Sequence, residues 1–349
     1  MDEKRKHVGK GRSRTSEEVL GRDCTHLVEA LQNSALHYHQ PIHFRNLTLV
    51  PIVRDPAPEK RNYVTSTEAG RKLEVTETGS VPRLRVRNNA AVPVLLPEGE
   101  QLMGGYQNRI VTVSILLPPE TETEIPVACV EQGRWGSRGR SRRMHEGDFF
   151  FAEGRRVAAE AVSRAARSWG TYDTDQGEVW RTVAGKLGRL RARSYTRAMA
   201  DAYESAEDSL GQFTAALPYQ PGQVGLVVAI GTELAGADLF DHPATLRSLY
   251  ERLLRSYAID ALTRVQRSAP KWTDPASEAS SATPKPPVLD ATRARRFVES
   301  AAEAVLTFHA PVGLGEQARI TGDSVTGSAL LAFDTVVHLA LFNTAYRPQ

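Results

Sequence analysis

At 349 residues, 41% hydrophobic and 24% charged, the chain suffices for one large domain or two ordinary ones, which excludes a low-complexity or fibrous polypeptide. Its longest apolar run, Val224–Ile230, falls far short of the roughly 20 residues a membrane helix needs, and two cysteines exclude a disulfide framework. The net charge of +3 is uneven: residues 134–197 hold 15 Lys+Arg against 7 Asp+Glu, a surplus suited to phosphates, nucleotides or RNA.

In chain order, residues 1–40 read as a flexible tail with a short helix near Cys24–Leu36. The tail is charged and lacks the apolar centre of a signal peptide, so the cytoplasm is the expected compartment. Residues 41–135 are rich in strand patterns: Ile42–Val53, Lys72–Glu77, Arg83–Arg87, Val92–Leu96, Arg109–Leu117 and Glu124–Val130. In the fifth, Val111, Val113, Ile115 and Leu117 share one face, and Thr112 and Ser114 share the other. Cys129 sits in an apolar strand pattern and reads as a small buried hydrophobe.

Residues 155–266 are mostly helical. Ala158, Val162, Ala165 and Trp169 form one apolar face, and Trp180, Val183, Leu187 and Leu190 another, behind an Asp175/Glu178 capping pair. Gly222–Phe240 returns to strands, and Pro243–Arg264 is a long amphipathic helix. Residues 267–288 are a Pro/Ser linker; 289–345 are a helix capped by Asp290 and then the strands Ala318–Ile320 and Gly327–Phe342. Strands, then helices, then strands predict an α+β fold: an antiparallel sheet or sandwich core with a helical layer inserted mid-chain.

The strands 92–96, 109–117 and 124–130 are expected to form an up-down-up meander. That topology brings three polar segments to one end of the sheet: Glu98-Gly99-Glu100, Gln107-Asn108-Arg109 and Glu131-Gln132-Gly133-Arg134-Trp135. Guanidinium forks recognise phosphate, an indole offers a stacking face, and carboxylates act as general bases, hold ribose hydroxyls or coordinate Mg²⁺. The expected roles are therefore catalytic for Glu100 and Glu131, and ligand-binding for Gln107, Asn108, Arg109, Gln132, Arg134 and Trp135. The cofactor stays open, with Mg²⁺ compatible. The Arg-rich segment Arg134–Arg143 follows directly, either as an extension of a phosphate surface or as an insertion. His37, His39 and His43 lack the carboxylates that would complete a metal set, and His338 among apolar neighbours reads as a hydrogen-bonded core histidine. No Walker A, strand-linked GxGxxG, HExxH or GxSxG sequence is present.

The run LLPEGEQLMGGYQNRIVTVSILLPP, followed by IPVACVEQGRW, GQVGLVVAIGTELAGADLF and VVHLALF, resembles the domain family associated with ADP-ribosylglycohydrolases and rhodanese-phosphatases. The likeness spans most of 41–345 and is sharpest over 92–135. It falls on Glu100, Gly104, Gln107, Asn108, Arg109, Glu131, Gln132, Gly133, Arg134 and Trp135. The resemblance implies NAD, ADP-ribose or phosphate-ester metabolism, or a response to nucleic-acid damage, by association and not by mechanism. Three readings follow: an enzyme acting on a phosphate-bearing, nucleotide-derived ligand; a non-catalytic sensor or adaptor for such a ligand or for a partner protein; and an RNA-binding protein working through 134–197.

Overall fold

The run QVGLVVAI is apolar at successive positions, the pattern of a strand covered on both faces. The computed structural model describes Thr25 and residues 27–134, 144–268 and 289–347. In it this run is the strand Gln223–Ile230 (β13), buried at every position within a nine-stranded antiparallel sheet. The sheet order is Leu36–Tyr38 (β1), Leu47–Arg54 (β3), β13, Glu233–Phe240 (β14), Thr335–Asn343 (β18), Val325–Ala332 (β17), Glu316–Thr321 (β16) and Val305–His309 (β15). Ile42–Phe44 (β2) also pairs with β3.

Six further strands form a second sheet, in the order His145–Phe149 (β12), Glu100–Met103 (β8), Arg109–Val111 (β9), Glu122–Cys129 (β11), Arg83–Asn88 (β6) and Leu73–Glu77 (β5). A third sheet joins Ile115–Leu117 (β10), Val94–Leu96 (β7) and Val64–Thr65 (β4), the last pairing in parallel. The helices are Ser66–Ala69 (α1), Ala152–Trp169 (α2), Gln176–Leu190 (α3), Met199–Ser205 (α4), Glu207–Ala216 (α5), Pro243–Ser268 (α6) and Ala291–Glu299 (α7). Helices α2 to α6 enclose one core against the large sheet, with Leu226, Val228, Leu249 and Leu253 inside it. The opposite face is covered by α7 and a short helical segment at 27–31. Asp175 and Asp290 accept backbone N–H groups at the starts of α3 and α7, as N-caps do. The fold is therefore α+β, with antiparallel sheets and a helical layer in the middle of the chain. No helix among the described residues is long and apolar enough to cross a membrane.

Three expectations are corrected. Arg109–Leu117 is not one strand: β9 and β10 belong to different sheets. The polar positions Thr112 and Ser114 are buried like their apolar neighbours. Thr112 Oγ1 donates to Tyr172 O at 2.8 Å, and Ser114 Oγ lies 2.6 Å from His338 Nδ1, so both faces are buried and the chain bends between them. The up-down-up meander is replaced accordingly: β7 pairs with β10, while β9 lies between β8 and β11. Trp169, expected on the buried face of α2, is 80% exposed, because it closes the helix beside the left-handed Gly170 and projects past the core. The expectations for 1–22, for Trp135 and the arginines after it, and for the linker fall outside the described residues.

Candidate ligand-binding site

Gly104 and Gly105 have positive φ, +114° and +54°, which lets the chain turn from β8 into β9. That turn gathers much of the polar cluster read from the sequence. Asn108 Oδ1 accepts from Gly104 N–H at 3.0 Å, and Asn108 N–H donates to Glu131 Oε2 at 3.1 Å. Gln107 Nε2 donates to Glu131 O at 2.7 Å. Arg134 lies across the turn. Its Nε and Nη2 donate to the two Glu131 oxygens at 2.8 and 2.6 Å, and its Nη1 to Gly105 O at 2.7 Å. Burial works against the Glu131 carboxylate, but hydrogen bonds from Arg134, Thr196 and the Asn108 N–H, with the Arg134 charge, together outweigh it and hold the carboxyl below its usual range. Arg109 is fully buried, 3.3 Å from Gln107 Oε1 and 3.6 Å from Glu77 Oε2. Gln132 turns to the surface, where Arg197 donates to its Oε1 at 2.9 Å. The structure thus brings Gln107, Asn108, Arg109, Glu131 and Arg134 together, chiefly as partners of one another.

Glu100 stands apart. The register pairs Gln101 with Ile110 and Leu102 with Arg109, which places Glu100 at the far end of β8 from the turn, about 10 Å away at roughly 3.3 Å per residue. Ser66 Oγ donates to its Oε1 at 2.6 Å, and Arg252 Nη1, from α6, donates to the same atom at 2.8 Å. Arg252 is fixed in turn by Gly147 O and Thr67 Oγ1, both at 2.7 Å. The second carboxyl oxygen, Oε2, is buried with no hydrogen-bond partner among the described residues. Burial dominates and raises this carboxyl above its usual range, against the pull of Arg252 and Ser66.

Glu100 shares a strand face with Leu102, two residues on. Leu102 lines a cleft of about 240 Å³ whose apolar walls are Leu73, Val75, Leu102 and Met144, with Ser66, Arg71, His145 and Glu146 as its polar members. Leu73 and Val75 lie on β5, and His145 and Glu146 on β12. These strands are the two edges of the six-stranded sheet, so the sheet curls until its edges face each other across the cleft. The Gly104–Gly105 turn closes one side: a Cβ on Gly105 would meet Glu77 Oε1 and Met144 Sδ. Ser66, the cleft residue nearest Glu100, has a signal in the sequence. Thr65 and Glu68 form a capping box around α1, which holds Ser66 at a helix start. Arg252 and His145 have no such signal, because both act across long sequence separations.

Part of the basic surplus of 134–197 is turned inward, while Arg164, Arg167, Arg181, Arg191, Arg193 and Arg197 stay exposed. Arg155 pairs bidentately with the buried Asp238, Arg156 with Glu160, Arg189 with Glu153, and Lys186 with Asp260. Ser114, His338 and Asp238 form a buried row that has the composition of a nucleophilic triad. However, Ser114 Oγ also accepts the Glu98 N–H at 3.0 Å, and Asp238 is held by Arg155 and by the Tyr257 hydroxyl. Every member is 1% exposed or less, so the row ties β14 and β18 to the 112–114 bend rather than meeting a substrate. Among the described residues no group of three or more His, Cys, Asp or Glu is arranged to hold a metal.

Comparison with protein-family models matches residues 35–342 to the ARG and Rhodanese-Phosphatase-superfamily-associated Protein domain. No curated protein matches the chain, and no solved structure does.

Proposed function

The chain belongs to the ARG and Rhodanese-Phosphatase-superfamily-associated Protein domain family, and from that premise we propose that it binds a small, phosphate-bearing, nucleotide-derived molecule in the cleft of the curled sheet, with Glu100 as its proton-transfer group. The observation that carries the reading is Glu100 itself. It is a fully buried carboxyl whose pKa is raised and whose second oxygen lacks a partner, linked through the Ser66 hydroxyl to an apolar cleft. Sites for small molecules are mostly apolar, with a few convergent polar groups and a titratable group of shifted pKa. A base or nicotinamide ring suits the Leu73, Val75, Leu102 and Met144 walls, and Arg71 is the cation available to a phosphate. The family name links the domain to phosphatases, whose substrates are phosphate esters; that supports the ligand class by association only.

Roles divide on this reading. Glu100 moves a proton through Ser66, and Arg71 anchors the anion. Glu131, Arg134, Gln107, Asn108 and Arg109 shape the end of the cleft. Turnover of ADP-ribose, NAD and nucleoside cyclic phosphates, followed by chromatography, together with ligand-induced thermal shifts, tests it. Saturating ligand at about 100 times Kd stabilises by about 2.7 kcal/mol, a shift that is readily measured. Arg71→Ala is expected to raise KM or remove the shift, and Glu100→Gln to abolish turnover while binding persists. Binding that Glu100→Gln leaves intact, in a wild type without turnover, selects the sensor over the enzyme. If none of these compounds shifts the melting temperature or is converted, the proposal fails.

A further inference from the structure

Strand β8 has a second face. Gln101 and Met103 point away from the curled sheet and line a separate cleft of about 340 Å³, bounded also by β12, by α4, by Glu207 at the start of α5 and by α6. Gln101 is 1% exposed, and its Oε1 has no hydrogen-bond partner among the described residues. Polar atoms so placed are rare in native proteins, because an unsatisfied buried acceptor forfeits its hydration without return. An N–H or O–H donor arriving in the cleft would satisfy it.

The charges around this acceptor decide which donor fits. Four carboxylates, Glu146, Asp148, Glu204 and Glu207, face one guanidinium, Arg255. Four of the five N–H donors of Arg255 are committed. Its Nε and Nη2 donate to the two Asp148 oxygens at 2.8 and 3.2 Å, and its Nη1 and Nη2 to the two Glu207 oxygens at 3.0 and 2.7 Å. Among the described residues of the lining Arg255 is the one arginine or lysine, and two carboxylates hold it. Glu146 and Glu204 form no ion pair with a described residue, so the unneutralised charge is negative. The Tyr203 hydroxyl is committed to Phe149 O at 2.6 Å. A divalent metal is disfavoured, since no group of three or more metal-capable side chains converges among the described residues.

We infer that this second cleft is a binding site for a small organic cation, an alkylammonium or guanidinium group whose N–H donors reach Gln101 Oε1 and whose charge is met by Glu146 and Glu204. The site is distinct from the one proposed above: it lies on the opposite face of β8 and selects the opposite charge, although His145 and Glu146 of β12 border both clefts.

Titration calorimetry of the full chain with putrescine (1,4-diaminobutane), at low and at physiological salt, tests the inference, with inorganic phosphate as the control probe. Saturable one-site binding of putrescine that weakens with salt is expected, with no binding of phosphate in this cleft. Glu204→Gln, at an exposed position, and Glu146→Gln should together weaken binding by at least about 10-fold. Gln101→Met, which removes an acceptor without breaking a hydrogen bond among the described residues, should weaken it while leaving the melting temperature unchanged or higher. Arg71→Ala should leave putrescine binding intact, which separates this site from the Glu100 cleft. The inference is overturned by any of three results: no saturable heat with putrescine, binding indifferent to all three substitutions, or a putrescine-soaked crystal with only water at Gln101.

Discussion

Arg134→Ala asks whether the guanidinium nearest the Gly104–Gly105 turn is a ligand clamp or a staple. The side chain is 12% exposed and its partner Glu131 only 1%, so the pair is nearly buried. Removing one member of a buried pair costs about 3–5 kcal/mol, mostly from the charge left behind. Glu131 would retain the Asn108 N–H at 3.1 Å, and Arg134 touches solvent, so the lower end, about 3 kcal/mol, is expected. At about 2 °C per kcal/mol for a chain of this size, the melting temperature falls by about 6 °C. The effect depends on pH with a definite sign. The Glu131 carboxyl is held below its usual range in the folded state, so its contribution is fully present above the unfolded pKa of 4.5 and is lost as pH falls through the lower folded value. Differential scanning calorimetry of wild type and variant should therefore show the full gap at neutral pH and a narrowing gap below about pH 4.5. Glu131→Gln combined with Arg134→Met should recover part of the loss, because no charge is then stranded. The reasoning is refuted if Arg134→Ala shifts the melting temperature by less than about 1 °C yet removes ligand binding. That result would make Arg134 a clamp.

Arg155→Met strands Asp238, which is completely buried, and should destabilise by about 3–5 kcal/mol in denaturant unfolding, with Arg155→Met/Asp238→Asn less damaging than the single change. Asp241 accepts the Tyr63 hydroxyl, and burial raises its carboxyl to about 6, above the ordinary 3.8, so the folded wild type loses stability as pH rises through that interval. Asp241→Asn, which keeps an acceptor for Tyr63, should gain on wild type between about pH 4 and pH 6 and hold a constant advantage above it, as read from melting temperatures across the pH series. The Cys129 thiol is buried and pushed up to about 11 chiefly by desolvation, so alkylation by iodoacetamide at pH 8 should be slow in the native protein and fast in denaturant; fast native labelling would mean that the strand opens.

Much of this architecture can be read from residue pattern alone, and the misreadings share one cause. Val224–Ile230, Cys129 and His338 were legible because apolar neighbours on both sides leave only a buried place for them. The helices opened by Asp175, Pro243 and Asp290 were legible because caps are local chemistry. Arg109–Leu117 misled because its alternation runs on through the bend at 112–114, where Thr112 and Ser114 are bonded to Tyr172 and His338, and alternation alone does not mark where one strand ends. Glu100 was read as a candidate functional residue, and the structure gives it other neighbours than the sequence suggested. Pro97-Glu98-Gly99 is a turn signal, yet the chain returns to a strand at once, and that short strand is paired by β12, more than forty residues later. The partners that define the Glu100 site, Ser66 and Arg252, lie 34 and 152 residues away, beyond the reach of any local pattern.

Both proposed sites lie on β8, one on each face of the strand. Several buried charges elsewhere are closed upon themselves: Asp238 with Arg155, Asp260 with Lys186, Glu131 with Arg134. Such pairs fix packing and leave nothing for a ligand to complete. Glu98 and Gln317 also leave one oxygen unpartnered, but both lie inside the seam between the large sheet and the 112–114 bend. Glu100 Oε2 and Gln101 Oε1 differ in position. They belong to consecutive residues, so the strand directs one to each side, and each side carries a cleft bordered by the same edge strand, β12. Between Glu146 and Phe149 the β8–β12 pairing slips register around Gly147, where a Cβ would meet Met103 Cγ at 2.6 Å. A bulge of this kind re-aims the strand that separates the clefts. If water alone satisfied these two acceptors, their placement beside the clefts would be incidental, and replacing both with apolar residues of similar volume would change stability without changing what the protein binds. If ligands satisfy them, Glu100→Gln should abolish turnover in its cleft, Gln101→Met should weaken binding in the other, and neither change should reach the opposite face of the strand.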